Sequence, residues 1–200
     1  MIIVLSPERH VTGEALLTNQ LFANGLDYFH IRKYRLSDKE ISDYISGIDQ
    51  QYYHKLVLHS HYHLADHFGI NRLHFREESR QKKEHIHYQD NHILSTSTHS
   101  IEDFNTLGAE WFYSFLSPVF ASISKQGYGT DNTILNEMEL KDNPYVRLIG
   151  LGGVNSNNID IVLKSKADGV ALLGSIWQYQ NPVNTLMKCR QALKNYKYAE

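Results

Sequence analysis

Val146-Arg-Leu-Ile-Gly-Leu-Gly-Gly-Val-Asn155 is an apolar run, Val146 to Leu151, that stops at a glycine pair and opens into a polar turn. A helix is expected over 155–166, and Gly169-Val-Ala-Leu-Leu173 follows as a second apolar run. Strand, helix and strand in that order make a βαβ unit, two parallel strands joined by a crossover helix. The same alternation runs back through the chain. Ile2 to Leu5, Leu26 to Arg32, Lys55 to His59, Asn71 to Phe75, Ile93 to Thr98 and Trp111 to Leu116 read as six earlier strands. Between them, Thr12 to Asn24 has helical spacing of its apolar residues and closes at Asn24-Gly25. Ser37-Asp-Lys-Glu40 is a capping box that starts a helix to about Asp49, because hydroxyl and carboxylate each satisfy an end amide. Tyr62 to Phe68 is a short helix, Ser100-Ile-Glu-Asp103 caps another that ends at Gly108, and Thr133 to Leu140 and Pro182 to Lys197 are the remaining two. Glu77 to Gln89 is charged and lacks periodicity, so it reads as loop or frayed helix.

Eight strands alternating with helices predict a (β/α)8 TIM barrel, class α/β, with the third helix and the fourth crossover trimmed. An open doubly wound sheet is the competing architecture, and it ordinarily has fewer strands. With 200 residues and no linker or low-complexity tract, the expectation is one domain over 1–200.

Composition removes several classes of function. Twenty basic and 22 acidic residues give a net charge of -2, which argues against a polybasic nucleic-acid binder. The single cysteine, Cys189, excludes an internal disulfide framework and a multi-cysteine zinc site. The apolar start, Met1 to Leu5, is too short for a signal peptide, and no run approaches a membrane span, so a cytoplasmic location is expected. A homo-oligomer is compatible with this composition. All twelve histidines fall between His10 and His99, which marks the first half of the chain.

In a barrel, chemistry sits at the C-terminal ends of the strands, and residues two apart share a face. Strand two ends in His30, Arg32 and Tyr34; strand three in His59 and His61; strand four in His74 and Arg76; strand five in Ser95, Ser97 and His99. A purely structural barrel interior would carry Val, Ile and Leu there. Arg32 is the leading candidate, since a guanidinium on a barrel strand needs an anion: a phosphate or carboxylate ligand, or an internal carboxylate such as Glu77 or Glu78. A metal site on His59, His61 and His74 is a minor reading, because the set lacks a carboxylate and matches no spacing motif. After strands seven and eight, Gly152-Gly153 and Leu173-Gly174 offer backbone amides beside helix starts, the usual phosphate cradle of this fold. The loop after strand six, Ser122-Ile-Ser124-Lys125, adds hydroxyls and a cation, with Gly127 and Gly129 as hinges for an anion-gripping lid.

With these residues placed, the chain resembles the thiamine phosphate synthase family, including the related thiazole tautomerases. The most specific parts are His30-Ile-Arg32, Leu58-His-Ser-His-Tyr-His-Leu-Ala65, Ser97-Thr-His-Ser100, Ser117-Pro-Val-Phe120 with Ser122, Ser124 and Lys125, Gly150-Leu-Gly-Gly153 and Ala167-Asp-Gly-Val-Ala171. The resemblance implies a transferase that joins a pyrimidine methyl diphosphate to a thiazole phosphate and releases pyrophosphate, with Mg2+ holding the diphosphate. It implies small phosphorylated substrates and neither nucleic acid nor membrane as partner. By position, Arg32 meets the diphosphate and Ser97 stands at that end of the site. Ser122, Ser124 and Lys125 grip phosphate and pyrophosphate, and Gly152, Gly153, Leu173 and Gly174 cradle the thiazole phosphate. His30, Tyr34 and His59 complete the expected substrate surface.

The pattern departs from the family on the first-half face. Gln-x-Arg-x-Lys is the family pattern on strand two, where this chain has His30 and Tyr34 as flanks. The metal positions after strands three and four are Ser60 and Ser79 instead of aspartates. Three outcomes stay open: Glu77 or Glu78 substitutes, Lys33 and the histidines neutralise the charge, or synthase activity is weak or absent. The alternatives to a synthase are a non-catalytic binder of a phosphorylated thiamine intermediate, and an isomerase of the tautomerase type with His59 or His74 as base. The tautomerases' own histidine position is Pro118 here.

Overall fold

Eight parallel strands close into a barrel in chain order, each hydrogen-bonded to the next and β8 back to β1. They are β1 (Ile2–Leu5), β2 (Tyr28–Ile31), β3 (Leu56–Leu58), β4 (Arg72–Phe75), β5 (Ile93–Thr98), β6 (Trp111–Leu116), β7 (Arg147–Leu151) and β8 (Gly169–Leu172). Closure removes the open-sheet alternative. The computed structural model describes residues 1–120, 134–178 and 180–199.

The helices are α1 (Glu14–Ala23), α2 (Asp38–Ser46), α3 (Ala65–Phe68), α4 (Glu77–Gln81), α5 (Ile101–Asn105), α6 (Ile159–Lys164), α7 (Gly174–Trp177) and α8 (Pro182–Ala199). The capping box before α2 is complete: Ser37 Oγ accepts from the Glu40 amide while Glu40 Oε2 accepts from the Ser37 amide. Ser100 caps α5 by accepting from the Asp103 amide. The charged stretch after β4 forms α4 and a 3-10 turn, Glu84–His87, with only His85 buried. The helix expected over Thr133 to Leu140 is, within the described residues, a 3-10 turn at Glu137–Leu140.

Side-chain alternation builds two layers. Outward residues such as Val4, Phe29, Ile31, Leu58, Leu73, Phe75, Leu148 and Leu172 join helix residues in one apolar shell around the barrel. The inward set divides. Ile3, Leu5, Tyr113, Phe115, Ile149 and Ala171 fill one side with apolar surface. His30, His59, His74 and Ser95, on β2 to β5 and their ends, occupy the other and are all buried. One half of the barrel interior is thus an ordinary core, and the other is a polar wall that must satisfy its own hydrogen bonds.

Candidate active site

A cavity of about 560 Å³ opens at the C-terminal ends of the strands. Its walls include Arg32 and Tyr34 after β2, His59 after β3, His74 and Arg76 at the end of β4, Ser97 and His99 at the end of β5, Gly152 and Gly153 after β7, and Leu173 and Gly174 after β8. Eight of the expected substrate-binding residues therefore meet in one cavity, Arg32, Tyr34, His59, Ser97, Gly152, Gly153, Leu173 and Gly174, with His74, Arg76, Glu77, Glu78 and His99 beside them. Ser122, Ser124 and Lys125 lie outside the described residues, as does the lid expected there.

His30 does not reach the cavity. It stands one layer deeper, fully buried, and its two ring nitrogens are spent on His59 Nε2 at 2.7 Å and the Tyr113 hydroxyl at 2.6 Å. His59 Nδ1 in turn meets the Tyr34 hydroxyl at 3.1 Å. His74 stacks on His59 with ring centroids 4.1 Å apart and bonds the Ser95 and Ser97 hydroxyls at 3.0 Å each. The result is a hydrogen-bonded chain, Tyr34–His59–His30–Tyr113, that runs from the cavity into the core beside a second branch, Ser97–His74–Ser95. Every ring nitrogen has a partner, as buried polar groups require.

These imidazoles are neutral. Burial first, then the charge of neighbouring groups, holds His59 and His30 well below the usual imidazole range, with Arg32 and Arg76 among the contributors at His59. His74 is held at about 3, by burial and then by Arg32 and Arg76. A base working near neutrality needs a far higher value, so neither His59 nor His74 suits that task. The three rings also make a poor metal site. His30 Nδ1 and His59 Nε2 are 2.7 Å apart, a hydrogen-bond distance with no room for an ion between them. His61, expected in that set, turns away to the Leu36 carbonyl at 2.8 Å and the Ser60 hydroxyl at 2.8 Å.

The cationic groups sort differently from the sequence expectation. Lys33 is 2% exposed and is consumed by Glu14 Oε2 at 2.7 Å and the Arg9 carbonyl at 2.8 Å. It neutralises a buried carboxylate and is no candidate for ligand charge. Arg32 does not pair with Glu77 or Glu78; its carboxylate is Glu8, at 3.4 Å and itself half exposed. The buried Arg32 Nε has no hydrogen-bond partner among the described residues. Arg76 lies over the Tyr34 ring, 4.8 Å from the centroid, and makes no ion pair with any described residue.

The β7 turn needs its glycines. Gly152 and Gly153 have φ of 106° and 63°, and a Cβ on Gly152 would stand 3.0 Å from the Pro118 Cα. The Gly153 and Val154 amides have no acceptor among the described residues. After β8, the Ser175 hydroxyl is buried without a partner among the described residues. Gly152, Gly153, Val154 and Gly174 line the same cavity as Arg32 and Arg76, while Ser175 is not on its wall.

The family model described as thiamine monophosphate synthase matches residues 2–176. The chain belongs to the thiamine monophosphate synthase family. It is 25% identical over 170 residues to the thiamine-phosphate synthase of Lysinibacillus sphaericus (strain C3-41), a match that covers 81% of this chain and 80% of that one. Two solved structures share the fold. The thiamine phosphate pyrophosphorylase of Bacteroides thetaiotaomicron has a TM-score of 0.76 at 20% identity, with 97% of each chain covered. That of Pyrococcus furiosus has 0.76 at 15% identity, with 97% of this chain and 95% of the other covered.

Magnesium, which the family resemblance implies, is a poor match to the donors present. It takes hard oxygen ligands, carboxylates among them, in near-octahedral geometry. Ser60 bonds His61, and neither Ser60 nor Ser79 reaches the cavity wall. Of the cavity carboxylates, Glu8 pairs with Arg32, Glu78 accepts from Lys82 at 2.6 Å, and Glu77 accepts from Gln81 at 3.2 Å. Among the described residues, the convergent ligand group is three imidazoles with no carboxylate in it.

Sequence reasoning missed Glu8 and Glu14. Glu8 sits in the loop after β1, where no periodicity speaks. Glu14 reads as an ordinary first-turn acid of α1 and is instead the buried partner of Lys33.

Proposed function

We propose that this chain is a thiamine-phosphate-synthase-like transferase of thiamine biosynthesis, working in the cytoplasm on two small phosphorylated substrates. Hydroxymethylpyrimidine diphosphate enters with its diphosphate at Arg32, and thiazole phosphate binds with its phosphate on the Gly152-Gly153 and Leu173-Gly174 turns. The pyrimidine methylene C–O bond breaks, and its electron pair leaves with pyrophosphate. The thiazole nitrogen lone pair then forms the new C–N bond. No proton has to be moved by the protein in that exchange, which suits a cavity whose buried imidazoles are neutral and fully bonded. Positioning and charge stabilisation carry such a reaction.

The observation that carries this reading is that one cavity holds two kinds of group suited to anions: the Arg32 guanidinium, and the β7 turn whose Gly153 and Val154 amides have no acceptor among the described residues. One phosphorylated ligand needs one of them; two substrates need both. Lys125, Ser122 and Ser124 keep the roles that sequence resemblance implies for them, on the leaving pyrophosphate.

A second reading, a binder of a phosphorylated thiamine intermediate without turnover, is favoured by the serines at positions 60 and 79. The two separate on mixing the protein with both precursors and following thiamine phosphate by chromatography. Product that is lost in Arg32→Ala supports the transferase. Tight thiazole phosphate binding with no product on any timescale supports the binder. Failure to bind either phosphorylated precursor sinks both.

A further inference from the structure

Building on the transferase reading, we propose that this cavity neutralises its diphosphate with a guanidinium pair, Arg32 and Arg76, in place of a divalent cation. The charge of a diphosphate has to be met by something. The carboxylates that would hold a hard cation do not converge into a ligand group among the described residues: Ser60 and Ser79 are off the cavity wall, Glu8 and Glu78 are each engaged with a basic side chain, and Glu77 accepts from Gln81 and lies 3.8 Å from His99. The imidazoles that do converge are bonded to one another and to hydroxyls, at distances that leave no coordination site.

What the cavity offers in exchange is two arginines from neighbouring parts of the wall. Arg32 follows β2, is 20% exposed, and has one buried N–H without an acceptor among the described residues. Its carboxylate, Glu8, is half exposed at 3.4 Å, a contact that an incoming dianion displaces at little cost. Arg76 ends β4 on the same parity as His74, is exposed, and rests on the Tyr34 ring with no carboxylate on it among the described residues. Arg32, Tyr34 and Arg76 line the same cavity, and both guanidinium groups act electrostatically on the Tyr34 phenol. A planar fork matches two phosphate oxygens at once, and two forks cover a diphosphate without any metal. Burial first, and then the two guanidinium groups, keep His59 and His74 uncharged, so the imidazoles supply no positive charge to a diphosphate and the arginines must. Lys33 takes no part, because Glu14 already holds it.

The test is calorimetric titration of the full chain with inorganic pyrophosphate, once in EDTA and once in magnesium at matched ionic strength. The expected dissociation constants agree within about threefold, and Arg76→Ala weakens binding by about tenfold to a hundredfold in both buffers, the loss of a charge-assisted contact. Arg76→Lys recovers part of the loss, since the charge stays and the fork does not. Glu8→Gln, which frees Arg32, tightens binding several-fold without touching the core, on the order of one released contact. Binding that appears only with magnesium overturns the proposal and leaves the transferase reading standing, because the diphosphate still binds. Unchanged affinity in a folded Arg76→Ala overturns it as well. No binding in either buffer overturns both readings.

Discussion

Acidification should destabilise this protein through the three buried imidazoles, over a window set by their own shifts. Each of His30, His59 and His74 has a folded-state value below the ordinary 6.5, so the unfolded chain binds more protons than the folded one on the acid side of neutrality. Stability is then full above about pH 6.5 and falls as pH drops toward the folded value, which for His74 is about 3. Between about pH 7.5 and pH 5, a histidine that stays neutral in the fold and titrates at its ordinary value when unfolded contributes a loss of about 2 kcal/mol. His30 and His59 are shifted in the same direction and add to that loss. The assay is urea unfolding at both pH values in wild type and in His74→Asn, which keeps polar contact with the Ser95 and Ser97 hydroxyls and removes one titrating ring. The wild-type free energy should fall by several kcal/mol, and the variant's fall should be smaller by about 2 kcal/mol. A wild type whose unfolding free energy is flat across that range would refute the neutral, buried placement of these rings.

Two further perturbations test the scaffold around the site. Lys33→Met leaves Glu14 buried with only the Tyr44 hydroxyl and no cation, and should cost about 3–5 kcal/mol in urea unfolding; the pair variant Lys33→Met with Glu14→Leu should recover most of that. Gly152→Ala puts a Cβ 3.0 Å from Pro118 Cα on a backbone at φ 106°, so it should cost about 1–3 kcal/mol and raise the dissociation constant for thiazole phosphate, measured by calorimetry, more than that for pyrophosphate.

Much of the barrel was legible because its strands are short apolar runs with stops. Ile2–Leu5, Ile93–Thr98 and Trp111–Leu116 fall on the residues expected, and the other strands differ by a residue or two at their ends. The crossovers were legible where hydroxyl caps announce a helix, at Ser37 and Ser100. They were not where charge dominates: α4 owes its place to strand geometry and its own i,i+4 pair Glu78–Lys82, and it carries no apolar stripe. Four-residue α7 is below the length at which periodicity says anything. At the site, parity of two brought Arg32, Tyr34, His74, Arg76 and Ser97 to one wall correctly in register. Depth along the strand was harder. His30 and Arg32 share a face, yet two residues of rise separate a fully buried hydrogen-bond partner from a cavity-lining cation. Lys33 faces the other way into a buried pair whose partner lies on α1, and a buried charge of this kind leaves no mark in local pattern. Of the three outcomes the sequence leaves open for charge neutralisation, the one through Lys33 is removed by this buried pair.

The central claim is the coupling of two phosphorylated substrates in one cavity, and the stoichiometry of the products tests it most directly. Both precursors are incubated with the full chain, and thiamine phosphate and pyrophosphate are quantified in the same samples over time. Equal molar amounts of the two, with no pyrophosphate formed when thiazole phosphate is left out, are the predicted result. Pyrophosphate without matching thiamine phosphate, or neither product while both precursors bind, would contradict it.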